Sequence, residues 1–206
     1  MSTQEHAEVH VHRDDIRSRM GMWLFLFSEL LLFGGLFLIY SVYRFIHPHA
    51  FSIASKEMNT FFGTMNTIIL LTSSLTMALA IAAIQRGKKI LSICLQLTTI
   101  LFGAWFMVNK FLEWSAEFRK GNFPGSAILQ SKPQGQILYF GLYYSMVGLH
   151  GLHVLVGMTV IAFMLRYTIK GVINKDDYVK LEAAGLYWHL VDIIWIFLFP
   201  LFYLIT

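Results

Sequence analysis

Five long apolar runs divide the chain, at residues 20–46, 61–84, 90–113, 136–168 and 183–205, with short polar stretches between them. Each meets or exceeds the ~20 residues that an α-helix needs to cross the hydrocarbon of a bilayer. In hydrocarbon every backbone polar group must be paired internally, so only helices and closed barrels span it. These runs are too long and too continuously apolar for barrel strands. The pattern therefore predicts an all-α membrane protein, with five transmembrane helices in one bundle over residues 20–206 and a polar tail over residues 1–19. The fourth run is long enough to tilt or to protrude. The 115–135 stretch, with Gly121, Pro124, Gly125 and Pro133, is expected to be the longest irregular loop and to lie outside the membrane.

Composition supports this class. Hydrophobic residues make up 56% of the 206 and charged residues only 14%, and the mean hydropathy is +0.59. The single cysteine, Cys94, cannot form an internal disulfide, a CxxC metal site or a CxxCH haem attachment. The apolar run after the polar start is too long for the core of a cleavable signal peptide. The net charge of +4 is spread over short loops and reads as an orientation signal, not as a footprint for nucleic acid. One side of the membrane receives Arg13, Arg17, Arg19, Arg86, Lys88, Lys89, Arg166, Lys170, Lys175 and Lys180. The other receives Arg44, Lys56, Arg119, Lys120 and Lys132. The positive-inside rule then places the N-terminus in the cytoplasm and the C-terminus outside. His6, His10 and His12 of the tail are read as solvated, with metal binding the minor alternative.

The candidate chemistry lies in polar groups within the apolar runs, where a charge costs about 2.5–3.5 kcal/mol or more and marks function by default. In the first run Glu29 sits roughly 14 Å deep at 1.5 Å per residue, on one face with Met22, Leu26, Phe33, Leu36 and Tyr40. A lone acid there favours its neutral form. It reads either as a proton-exchanging carboxyl or as an acid bonded to a neighbouring helix. In the second run Asn59, Gly63, Asn66, Ser73 and Met77 form a stripe suited to helix packing. In the third, Lys110 and Glu113 are three apart and can pair. One reading makes them an interfacial ion pair with Lys110 snorkelling and Trp105 and Trp114 as belt residues. The other gives them a lipid-headgroup or proton-pathway role.

The fourth run has two special faces. Gly141, Ser145, Gly148 and Leu152 form a small-residue stripe, and His150 and His153 lie on roughly the opposite side. The last run, EAAGLYWHLVDIIWIF, places Glu182, Trp188, His189, Asp192 and Trp195 on one arc, which should not face lipid. His150, His153 and His189 are read as hydrogen-bonded structural histidines, with metal or haem ligation as the alternative. No GxSxG, P-loop or HExxH motif is present.

Taken together, GMWLFLFSELLLFGGLF, MNTIILLTSSLTM, KFLEW, GLHGLHVLVG and EAAGLYWHLVDIIWIF resemble subunit III of the haem–copper oxidases, the cytochrome c and quinol oxidase family. They occur in family order and cover nearly the whole chain from Met20. The resemblance implies a non-catalytic subunit with no catalytic residue and no metal ligand of its own. Haems and copper are then expected in partner subunits I and II. It also implies packing against subunit I, phospholipid binding, support of proton uptake and a multi-pass location in the bacterial inner membrane. Glu29 matches the family's carbodiimide-reactive carboxyl. Lys110, Glu113 and Trp114 become lipid, interface or ion-pair candidates. His150, His153, Glu182, Trp188, His189 and Asp192 become a structural polar network, in which the last helix closes the bundle against the His150/His153 side of the fourth. Longer members have seven helices and a lipid-holding cleft, and this chain aligns with the last five. The electron donor, cytochrome c or quinol, is not written in the chain, and a nitric oxide reductase accessory subunit has the same form. A rival of another class is a small proton or ion transporter using Glu29, Glu113 and Asp192, which would be expected to show repeats and broken helices.

Overall fold

The computed structural model describes the backbone of residues 3–205 and the side chains of residues 20–205. Every regular element among them is a helix: α1 (Thr3–Ile46), α2 (Pro48–Lys56), α3 (Thr60–Gln85), α4 (Lys89–Arg119), α5 (Ala127–Gln130), α6 (Gln134–Ile169) and α7 (Val179–Tyr203). Five stretches are long and apolar enough to cross a membrane: Met20–Ile46, Thr60–Gln85, Lys89–Arg119, Gln134–Ile169 and Val179–Tyr203. The protein is a multi-pass membrane protein. The tail side chains, including His6, His10 and His12, lie outside the described residues.

Two sequence expectations about element bounds need correction. The third span continues to Arg119, so much of the 115–135 stretch is ordered: it contains the end of α4, the short α5 and the start of α6. The added turn is held by bonds from the loop onto Glu117, described below. Helix α2 lies between the first two runs, where the apolar pattern predicts no element. Pro48 occupies its first turn, where its missing N–H costs nothing, and Phe51, Ala54 and Ser55 are buried.

Lipid tails are as apolar as leucine, so the helices are joined by close packing and polar bonds. α3 and α4 form the tightest antiparallel pair, turning at Gly87. Its φ of +72° lets Gly87 N–H donate to Ile84 O at 2.9 Å and Lys88 N–H to Ala83 O at 2.9 Å. α7 runs through the middle, against α3, α6 and α1. Trp188 lies fully buried there, and a Cβ at Gly157 of α6 or Gly103 of α4 would come within 2.8 Å or 2.9 Å of its ring. The foreseen α3 stripe is buried at Gly63, Asn66, Ser73 and Met77. Asn59 instead caps α3, accepting from Phe61 N–H at 3.1 Å. Within this chain the α6 stripe is largely unpacked. Ser145 and Leu152 are exposed, Gly141 has nothing within 4 Å, and only Gly148 is approached, by Trp114 at 3.3 Å.

Helix ends leave carbonyls without intrahelical partners. At the end of α7 these are taken up by other elements. Tyr40 of α1 donates to Leu201 O, Tyr139 of α6 to Phe202 O at 2.5 Å, and Ser55 of α2 to Ile205 O at 2.7 Å. The bundle is thus pinned around the C-terminal end of its central helix.

Candidate functional site

Glu29 of α1 is not isolated. Leu26, Phe33 and Tyr40 are buried on its face, as the spacing predicted. Its Oε2 lies 2.9 Å from His153 Nε2, an α1–α6 contact with both side chains largely buried. His153 Nδ1 lies 2.8 Å from Leu149 O. A carbonyl can only accept, so Nδ1 carries a proton. Nε2 and the carboxylate therefore share one further proton, either as imidazolium with carboxylate or as imidazole with carboxylic acid. Phe33 meets the ring edge-on at 5.2 Å, and Tyr187 of α7 donates to His153 O at 3.3 Å.

Lys110 and Glu113 do pair, at 3.0 Å, but Lys110 does not snorkel: it is 6% exposed and Glu113 4%. The reason is a set of hydroxyls supplied by α6 and α7. Tyr143 and Tyr203 donate to Glu113 Oε1 at 2.7 and 2.5 Å, and Lys110 Nζ donates to Tyr203 Oη at 2.5 Å. The ammonium also lies 4.5 Å from the Trp195 ring centre. Trp114 is half-buried against Tyr144, with ring centres 5.3 Å apart, and Trp105 remains exposed.

The polar arc of α7 is internal, packed on α6 as well as α3, and its hydrogen bonds go to α3. Trp188 Nε1 donates to Ser73 Oγ and Trp195 Nε1 to Thr67 Oγ1, both at 3.0 Å. His189 Nδ1 lies 2.6 Å from Ser74 Oγ, and Gln85 donates to Glu182 Oε1 at 3.2 Å. Only Trp195 reaches His150, with ring centres 5.2 Å apart. α7 thus packs against the helix of His150 and His153, through Trp188 on Gly157, Trp195 on His150 and Tyr187 on His153 O, and adds hydroxyl partners on α3. His150 departs from the hydrogen-bonded reading. It is fully buried beside Phe106 and Trp195, and neither ring nitrogen has a partner among the described residues. The three histidines thus turn to three different neighbours. Among the described residues no cluster of three or more His, Cys, Asp or Glu is placed to hold a metal ion.

One cluster was missed. Lys132 Nζ donates to both oxygens of Glu57 at 2.9 Å and to Asn122 Oδ1 at 3.0 Å. Asn122 Nδ2 donates to Glu57 Oε2 and to Glu117 Oε2, each at 2.9 Å, and Lys120 pairs with Glu117 at 2.5 Å. This knot joins the end of α2, the end of α4 and the loop before α6. Its members are 75 residues apart at most in sequence and share no periodic signal. Tyr143 and Tyr203 were missed for a similar reason: a tyrosine in an apolar run looks like core until its hydroxyl is seen to meet an acid.

The family described as cytochrome c oxidase subunit III matches residues 3–206. The chain is 30% identical over 206 residues to a cytochrome c oxidase subunit 3 from Thermostichus vulcanus, covering 96% of this chain and 92% of that protein. It is 29% identical to a cytochrome bo(3) ubiquinol oxidase subunit 3 from Pseudomonas aeruginosa, covering 97% of this chain and 90% of that protein. It is also 28% identical to a heme-copper oxidase subunit I+III from Aeropyrum pernix, covering 94% of this chain but only 23% of that longer protein.

Proposed function

Because the chain belongs to the cytochrome c oxidase subunit III family, we propose that it is the non-catalytic third subunit of a respiratory haem–copper terminal oxidase. In this reading it packs on subunit I, binds phospholipid and supports the uptake of protons for oxygen reduction. Haems and copper belong to subunits I and II. Its place in this reading is a bacterial inner membrane, and a cytoplasmic N-terminus is supported by the ten-to-five asymmetry of Lys and Arg in the residues flanking the spans. The relative that joins subunits I and III in one chain supports direct contact with subunit I. Relatives named for cytochrome c and for ubiquinol leave both donor classes open to this subunit, because the donor is oxidised elsewhere in the complex.

The observation that carries the proton-uptake role is the Glu29–His153 pair. Leu149 O holds Nδ1 as a donor, so Nε2 faces Glu29 with one proton to share. Such a pair takes a second proton from water, becoming imidazolium beside carboxylic acid, and returns to the one-proton state when it gives a proton back, without moving a helix. Lys110, Glu113 and Trp114 form a separate cluster beside the α6 residues just before His153, and Trp188 and His150 act as scaffold. The test is Glu29→Gln in the purified complex. Carbodiimide labelling of this subunit should disappear and proton uptake during turnover should slow, while subunit III stays bound to subunit I. Unchanged labelling and uptake would refute the role. Loss of the chain from a complex that otherwise retains subunit I would show a purely structural bond.

A further inference from the structure

The Glu29 reading leaves unexplained a second buried acid, Asp192 of α7. Asp192 is 2% exposed and joins no ion pair among the described residues, and apart from a poorly aligned approach of the Ser74 hydroxyl its carboxyl oxygens have no hydrogen-bond partner among them. Buried polar groups are almost always paired with protein or water, so an orphaned carboxyl deep in the bundle needs a reason. An ionised carboxylate without donors is the least favourable state there, and a neutral acid or a hydrated one removes the penalty.

The surroundings supply a route to it. Ser74 of α3 stands beside Asp192, and its Oγ lies 2.6 Å from His189 Nδ1. His189 in turn lines a groove of about 440 Å³ between α3 and α7. Gln85, the last residue of α3, and Glu182, in the first turn of α7, also line it. Those two positions mark the membrane-surface end of the groove, and their side chains bond to each other. His189 lies seven residues beyond Glu182, roughly 10 Å further in, and Asp192 about one turn deeper still. The groove is therefore polar at its mouth and reaches an imidazole at its inner end. The Ser74 hydroxyl links that imidazole to the orphaned acid.

We propose that Asp192, Ser74 and His189 form a proton-exchanging branch, by which water in the α3–α7 groove exchanges protons with the buried Asp192 carboxyl. The step balances without any further reagent. Asp192 gives its proton to Ser74 Oγ as Ser74 gives its own to His189 Nδ1, and the imidazolium then releases the Nε2 proton to water. One proton leaves the acid and one reaches the groove, and reversal reloads the site. A hydroxyl, which both donates and accepts, is the required link, and Ser74 is placed as one. The branch lies on the α3 side of α7, whereas Glu29 and His153 join α1 to α6. It does not depend on the role proposed for Glu29.

Infrared hydrogen–deuterium exchange on the intact purified complex tests this. A carbonyl band of a neutral carboxylic acid should be lost in Asp192→Asn. Where that variant fails to assemble, Asp192→Glu should shift the same band. In Ser74→Ala the band should persist while its exchange slows at least tenfold, and Glu29→Gln should leave both band and rate as they are. The proposal is overturned if no such band responds to either Asp192 variant, or if Ser74→Ala exchanges at the native rate. It is also overturned, as a separate branch, if Glu29→Gln slows exchange of the Asp192 band. Loss of the Glu29-dependent uptake alone would leave it standing.

Discussion

Replacing Lys110 by methionine should cost far more than breaking a surface ion pair. The substitution keeps the length and apolar stem of the side chain and removes only the charge. Coulomb's law at the observed 3.0 Å, with an effective dielectric constant of about 20, gives about 5 kcal/mol of attraction. Part of this is offset by desolvation, but breaking a buried pair from one side strands the other charge, and typically costs about 3–5 kcal/mol. Glu113 would keep the Tyr143 and Tyr203 hydroxyls on Oε1 and lose its only donor on Oε2 among the described residues. Lys110→Met is therefore expected to destabilise the subunit by about 3 kcal/mol or more, a change of at least roughly two decades in the unfolding equilibrium. The double variant Lys110→Met/Glu113→Gln removes both charges and leaves an amide oxygen to accept from the tyrosines. It should recover most of the loss and lie within about 1.5 kcal/mol of the native chain. Denaturant titration of the purified complex in mixed micelles, read from a fluorophore on the exposed Cys94, measures both. A single-variant cost below about 1 kcal/mol would mean that Lys110 reaches water after all. Equal costs for the single and double variants would mean that shape, not charge, holds the cluster.

The remaining predictions use the same labelled complex. Gly157→Ala puts a methyl 2.8 Å from the fixed Trp188 ring, and should cost about 1–3 kcal/mol. Gly141→Ala, with nothing within 4 Å, should leave the stability of this chain unchanged, and equal effects would refute the packing around Trp188. Asn122→Ala removes the donors to Glu57 and Glu117 and the acceptor for Lys132. It should raise amide exchange in residues 120–133 at least tenfold while α3 and α7 stay protected; unchanged exchange would mean that the knot does not hold the loop.

How much of this was legible in the sequence depends on the kind of question asked. The five spans follow from run length, because the bilayer imposes one dimension on every helix that crosses it. The buried face of α1 followed too, since Leu26, Phe33 and Tyr40 recur at helical spacing and are buried. Partners did not follow. Periodicity assigns a side chain to an arc of its own helix, and leaves open which helix lies opposite. Thus the arc of Trp188, Asp192 and Trp195 was read as internal, yet it meets hydroxyls of α3 more than the histidines of α6. Lys110 shows the same gap in energetic form. Near the end of an apolar run, a lysine beside a glutamate suits the interface as well as the interior. Tyr143 and Tyr203, 33 and 93 positions away, decide between them, because their hydroxyls supply in the bundle what water would supply outside it. Glu29 was singled out by depth and by its match to the family's reactive carboxyl, and its chemistry became specific only when His153, with Nδ1 held by Leu149 O, was found opposite. Depth in the membrane marks which polar residues need an explanation; the helix that comes to face each one determines whether it anchors the bundle or handles a proton.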